Sequence, residues 1–300
     1  MTDHEFITTE LLDDGAICRI MLNRQRNAQN RGLLVELDEA FLAAERDDQV
    51  KEIILGAEGS VFSAGHDTGS KQSIAEFMPG PDQHPSMTIN GGTRQAAEKL
   101  FLQEWHYYFQ NTRRWRDLRK ITIAQVQGHV ISAGLMLMWA CDRIVAAQDT
   151  RFSDVVGQRL GMCGVEYFAH PWEFGPRRTK QLLLTGDSID AEEAYRLGMP
   201  AEIAPEAELA DKTLELARRV AKMPTMAAML IKESVNQSVD NMGFQNALKA
   251  CFTLHELNHA HWAWVHEDHF PVGRAEDGIM GAVTPPHPGY GTKDKKESTE

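Results

Sequence analysis

Two short runs of small residues carry the chemistry this chain could do. The first is Ser63-Ala64-Gly65-His66, and the second is Ala133-Gly134. Each follows an apolar stretch that reads as a buried strand, Glu52 to Ala57 before the first and Ile121 to Val126 before the second. Small residues let backbone N–H groups approach a ligand closely. Two such donors, from His66 and Ala133, converging on one oxygen would stabilise negative charge developing on a carbonyl. Ala133-Gly134 also opens the apolar segment Leu135 to Ala140, so a helix N-terminus would add its positive end. His66 needs only its N–H for this role; an imidazole facing the reacting carbonyl is the alternative reading. Two carboxylates could move protons nearby. Glu166 follows the glycine-bearing turn Gly161 to Gly164, and Asp154 stands before Val155-Val156. A rim position for Glu166 and a surface or strand-end position for Asp154 are the competing readings.

The elements that must position these groups alternate strand and helix. Phe6 to Leu12 and Ala16 to Leu22 flank Asp13-Asp14-Gly15 as a hairpin. Arg31 to Glu45 sets Leu33, Leu34, Leu37, Phe41 and Leu42 on one helical face. Thr68 to about Gly92 is rich in Gly, Pro, Ser, Asn and Gln and reads as a long loop. Glu98 to Arg119 reads as a helix whose aromatic stripe packs inward. Asp190 caps a helix with Glu193 in the capping-box position and Gly198 at its end. From Glu206 to about Ala263 the pattern is helical. From Pro285 the chain is Pro, Gly and charge, and reads as a disordered tail.

Four ordered pieces of this chain resemble the crotonase, or enoyl-CoA hydratase/isomerase, superfamily. They are Leu22-Asn23-Arg24 with Arg26-Asn27-Ala28, Phe62 to Asp67, Gln125 to Gly128 through Ala133-Gly134 to Cys141-Asp142, and Leu184-Thr185-Gly186-Asp187 with Ala191 to Gly198. The resemblance implies an α/β fold, a spiral of ββα turns with a C-terminal helical trimerisation region. It divides the chain into a spiral core (1–205), a helical subdomain (206–270) and a tail (271–300). It implies an acyl-CoA thioester as substrate, with Ala64, Gly65 and Gly134 lining the carbonyl site and Arg24 approaching the CoA phosphates; Lys71, Arg177 and Arg178 are further candidates. CoA is part of the substrate, so no cofactor is implied.

One departure from the family pattern decides how the chemistry is read. The two glutamates of well-studied hydratases fall here on Met136 and Val156, and neither side chain transfers a proton. Ordinary crotonyl-CoA hydration is therefore expected to be slow. Glu166 falls where other crotonases place a reactive carboxylate, so Glu166, with Asp154 behind it, is the candidate replacement. The nominal activity is enoyl-CoA hydration. The alternatives are isomerisation or thioester hydrolysis run by Glu166 or Asp154, or an acyl-CoA-binding protein without chemistry.

Composition sets the remaining bounds. Net charge is −12 over 300 residues, against a nucleic-acid partner. No apolar run spans a membrane. Cys18, Cys141, Cys163 and Cys251 form no CxxC pair and read as reduced thiols of a cytoplasmic protein. His255 and His259 have the i,i+4 spacing that binds zinc, but no HExxH is present and the resemblance implies no metal. They read as interface or solvated histidines. A homotrimer or hexamer is expected.

Overall fold

Residues 4–76 and 101–265 are described in a computed structural model of the chain. The part of the expected loop from Phe77 onward, the start of the expected helix at Glu98, and the tail lie outside these residues.

Among the described residues ten strands form two sheets. The larger has six, in the order β1-β2-β3-β5-β7-β10: Ile7–Leu12, Ile17–Leu22, Glu52–Ala57, Ile121–Val126, Arg143–Ala147 and Glu202–Ala204. The smaller has four, in the order β4-β6-β8-β9: Val61–Ser63, His129–Ile131, Arg151–Ser153 and Ser188–Asp190. In the larger sheet β1 and β2 pair antiparallel through the Asp13-Asp14-Gly15 turn, and the other pairs are parallel. β3 and β5 are buried at every position, which is why they read as continuous apolar runs.

The expected ββα turns are present. Three times the chain lays a strand in the large sheet and, after a short connection, one in the small sheet: β3 then β4, β5 then β6, β7 then β8. The small strands have three residues each, too few to show alternation in sequence. They nonetheless fix the functional geometry, because β6 pairs in parallel with both β4 and β8. The residues just past three neighbouring strand ends are thereby brought together: Ala64 to His66, Ser132 to Gly134, and Asp154 to Val156.

The first helix, Arg31–Arg46, buries Leu33, Leu34, Leu37 and Phe41, and the Asn30 side chain caps it by accepting from Leu33 N–H. A helix, Lys71–Glu76, occupies part of the stretch read as loop. Glu76 explains it: its carboxylate accepts from Arg31 N–H and the Asn30 amide and fastens the segment to the first helix. The aromatic segment is a π-helix at Glu104–Gln110, running into an α-helix at Asn111–Arg116. Tyr107, Tyr108, Phe109 and Trp115 pack inward as expected, whereas Trp105 is 46% exposed. Asp190 caps Ala191–Arg196 as its spacing implies.

Helices Leu209–Ala221, Thr225–Asn241 and Phe244–Val265 make up the C-terminal part. Lys232 of the second donates to the Asp142 carboxylate at 2.8 Å, and Asp142 also accepts from Thr122 N–H and hydroxyl. Beside this pair, Glu52 is buried and its Oε2 has no hydrogen-bond partner among the described residues. Burial, and then the Asp142 charge, push its carboxyl up to about 8. The folded state thus holds this proton more tightly than the unfolded chain. Stability should fall as pH rises from the ordinary glutamate value of 4.5 to about 8, then level off. Urea melts should show Glu52→Gln ahead of the parent by about 1–3 kcal/mol at pH 8 and the gap closing by pH 5. A gap independent of pH would mean that Glu52 is paired.

Candidate active site

Backbone approach builds the first part of the site. Gly65 has φ +87°, and a Cβ there would lie 2.9 Å from the Ile131 carbonyl and 3.4 Å from the Ala133 nitrogen. A Cβ on Gly134 would lie 2.9 Å from the Ser63 carbonyl. Only glycine lets the two loops meet this closely. Gln29 pins the first loop from outside: its N–H donates to Gly65 O at 2.8 Å and its carbonyl accepts from Asp67 N–H at 2.9 Å. That pairing turns the N–H of the intervening His66 the other way. Ala133 is the first residue of helix Ala133–Trp139, so its N–H has no partner within the helix. Among the described residues neither N–H donates to a protein acceptor.

Ser132, just before this helix, holds φ 49° and ψ −112°. Such a conformation costs a non-glycine residue about 1–3 kcal/mol. Its N–H donates to Ser153 O at 2.8 Å, and its hydroxyl accepts from Val155 N–H at 3.3 Å, which hold it there.

Asp67 braces the first loop, accepting from Ser70 N–H at 2.9 Å and from Arg24 Nη2 at 2.5 Å. Arg24 also donates to Ala28 O at 2.8 Å. The arginine expected to reach CoA phosphates is thus committed to the loop. Lys71 and Arg177 are exposed, and Arg178 pairs with Glu193. Met136 is buried in helix Ala133–Trp139, and Val156 is half-buried at the start of helix Val156–Leu160.

The carboxylates part company. Glu166 is 3% exposed, and both its oxygens lie 3.1 Å from Nε2 of His66. Where the carboxylate is ionised it accepts from Nε2, and a neutral imidazole then keeps its lone pair on Nδ1. Nδ1 is buried and has no hydrogen-bond partner among the described residues. The Tyr108 ring stacks on the imidazole at 3.9 Å. Burial, then Glu104 and Glu166, push the Tyr108 phenol well above its ordinary range. Asp154 is not on the surface or at an open strand end. It is 2% exposed, and its Oδ2 lies 2.9 Å from His170 Nε2. The parallel β6–β8 pairing carries it inside.

The late histidines are not solvated either. His255 and His259 are each 5% exposed. Their Nε2 atoms lie 2.9 Å apart and each is 3.2 Å from Glu104 Oε2. Nothing singled out Glu104 in the sequence; it is an acid within an aromatic run, one π-helix turn from Tyr108. His170 was equally silent. The signal missed in both cases is an ionisable residue placed where its neighbours must be buried.

The comparisons with known proteins show the family. The family model "Enoyl-CoA hydratase/isomerase" matches residues 13–262. The chain belongs to the enoyl-CoA hydratase/isomerase family. Within it, EchA13 of Mycobacterium tuberculosis, provisionally named an enoyl-CoA hydratase, is 62% identical over 279 residues, 92% of this chain and 88% of that one. 4-Chlorobenzoyl coenzyme A dehalogenase-2 of an Arthrobacter species is 29% identical over 258 residues, 85% of this chain and 84% of that one. A crystal structure from Mycobacterium smegmatis, also provisionally named an enoyl-CoA hydratase, is 40% identical with a TM-score of 0.76, covering 87% of this chain and 97% of that one. The chain is thus a crotonase-superfamily enzyme of acyl-CoA metabolism.

Proposed function

We propose that this enzyme polarises an acyl-CoA thioester through the N–H groups of His66 and Ala133 and moves the proton with the His66 imidazole, oriented by Glu166. The observation that carries this reading is the His66–Glu166 pair itself. A carboxylate grips Nε2 with both oxygens, and the buried Nδ1 beside it has no partner among the described residues. A base is useful when its tautomer is fixed and its lone pair faces the reactant. The donor pair supplies the other half, taking up negative charge as an enolate forms.

The nominal reaction is addition of water to a 2-enoyl-CoA. One imidazole can take a proton from the water and return it at Cα, so the missing glutamates at Met136 and Val156 do not by themselves silence the chain. Isomerisation or thioester hydrolysis by the same pair is the second reading; a 1,2-epoxyphenylacetyl-CoA isomerase of Escherichia coli, 28% identical over 242 residues, supports the first of these. Asp154 is a positioning residue in both, since His170 occupies it.

Exchange of the Cα protons of a saturated acyl-CoA in D2O tests the shared step without presuming the net reaction. The wild-type protein should catalyse it, read by NMR. Gly65→Ala places a Cβ against Ile131 O and Ala133 N, so it should part the loops and slow exchange by about 10²-fold. Wild-type binding of acyl-CoA without exchange would favour the silent binding protein.

Self-association is part of the reading. Met226, Leu230 and Val235 of helix Thr225–Asn241 and Leu254 and Leu257 of the last helix are each more than half exposed. Exposed apolar side chains on both helices suit an interface between copies of the chain. Light scattering at micromolar concentration should give the mass of a trimer or hexamer; a monomer mass would count against it.

A further inference from the structure

We infer that Glu104, His255 and His259 form a binding site for one divalent transition-metal ion of the zinc class. The reading of the sequence expected no metal here, and the geometry points the other way.

Three side chains from two separate elements aim one atom each at a common point. His255 and His259 lie one turn apart on the last helix, so their rings share a face. Glu104 comes from the π-helix on the far side. The three ligand atoms stand 2.9, 3.2 and 3.2 Å from one another. A tetrahedral ion with bonds of ~2.0–2.2 Å holds neighbouring ligand atoms about 3.3–3.6 Å apart, so the cluster need open by only a few tenths of an ångström to take one. All three side chains are buried, so the cluster is built in rather than a chance meeting of mobile surface groups.

The tautomer supports a cation. His255 Nδ1 lies 2.9 Å from the Gly164 carbonyl, to which it can only donate. In neutral imidazole this leaves the lone pair on Nε2, the atom facing His259 Nε2 and Glu104. A neutral His255 therefore cannot donate to that carboxylate. A backbone carbonyl accepting from the second ring nitrogen is also the usual support of a metal-bound histidine.

The charge balance points the same way. Glu166 Oε1 lies 3.8 Å from His255 Nε2, and Glu256, on the same helix, has both oxygens buried with no hydrogen-bond partner among the described residues. Three carboxylates thus stand around the two imidazoles, surroundings that favour a cation. Two imidazoles and one carboxylate are a donor set that suits Zn(II) or a close relative. Such an ion would tie the last helix to the π-helix Glu104–Gln110, whose Tyr108 stacks on His66.

Chelator-treated, untagged protein should be titrated with Co(II). One ion per chain should bind and give a visible d–d absorption, and stoichiometric Zn(II) should abolish it. Zn(II) should also raise the thermal midpoint. Glu104→Gln and His259→Gln should each weaken Co(II) binding by at least about tenfold, while Cys163→Ser should not. The wild-type titration decides even if the variants do not fold. Absence of the d–d band together with an unmoved midpoint would mean that protons, not a metal, bridge the cluster. Undiminished binding in folded Glu104→Gln and His259→Gln, or loss in Cys163→Ser alone, would place the ion elsewhere and overturn the assignment equally.

Discussion

Glu166→Gln should lower acyl-CoA proton exchange by at least about 10²-fold, with substrate affinity nearly unchanged. The expected size follows from what the carboxylate does. It accepts at 3.1 Å from Nε2 of His66 through both oxygens and so fixes which nitrogen is free. An amide of the same shape can donate as well as accept, so it no longer excludes the wrong tautomer. General acid–base groups typically contribute 10²–10⁴-fold, about 2.7–5.4 kcal/mol of barrier. Affinity should hold because the donors proposed for the thioester oxygen are backbone groups of His66 and Ala133, which the substitution leaves in place. His66→Gln provides the matching test: it keeps that backbone N–H and removes the imidazole, so exchange should fall as far while acyl-CoA still binds. An exchange rate within about tenfold of the parent in folded Glu166→Gln would remove the pair from the mechanism.

Asp154→Ala should unfold the protein more readily, by about 3–5 kcal/mol. The Asp154–His170 pair is almost completely buried, and removing one partner strands the other away from water. In thermal melts this corresponds to a drop on the order of 10 °C. The acid limb provides a second signature. Burial would raise the Asp154 carboxyl, but the hydrogen bond and charge of His170, with Val156 N–H and the Ser132 hydroxyl, outweigh it and hold it below the ordinary value of 3.8. A carboxylate depressed in the folded state contributes stability above its unfolded value, and loses it as pH falls through the folded one. The parent should therefore lose stability below about pH 4, and Asp154→Asn should lack that share of the loss. A destabilisation under about 1 kcal/mol in the Ala variant would show the pair to be solvated.

Local pattern alone marks four of the six large-sheet strands (β1, β2, β3 and β5), the first helix and the two small-residue turns. The reasons are local. Fully buried strands such as β3 and β5 must be apolar throughout, helix Arg31–Arg46 must keep its period, and a backbone forced close to another chain segment must be glycine at Gly65 and Gly134. Local pattern also marked His66, Glu166, Asp154, His255 and His259 as candidates, without showing which of them meet.

Only the tertiary structure decided their partners. His66 and Glu166 are 100 positions apart, and Glu104 and His255 are 151 apart. No sequence period links residues at such separations. The three-residue strands β4, β6 and β8 bring the active loops side by side, yet they are too short to print an alternation. Asp154 was read as peripheral because a carboxylate beside Val155-Val156 gives no sign of the histidine that will pair with it sixteen residues later. His255 and His259 were read as interface or solvated histidines because an imidazole costs nothing in water. Whether it is buried depends on Glu104, which reaches it only when the π-helix packs against the last helix.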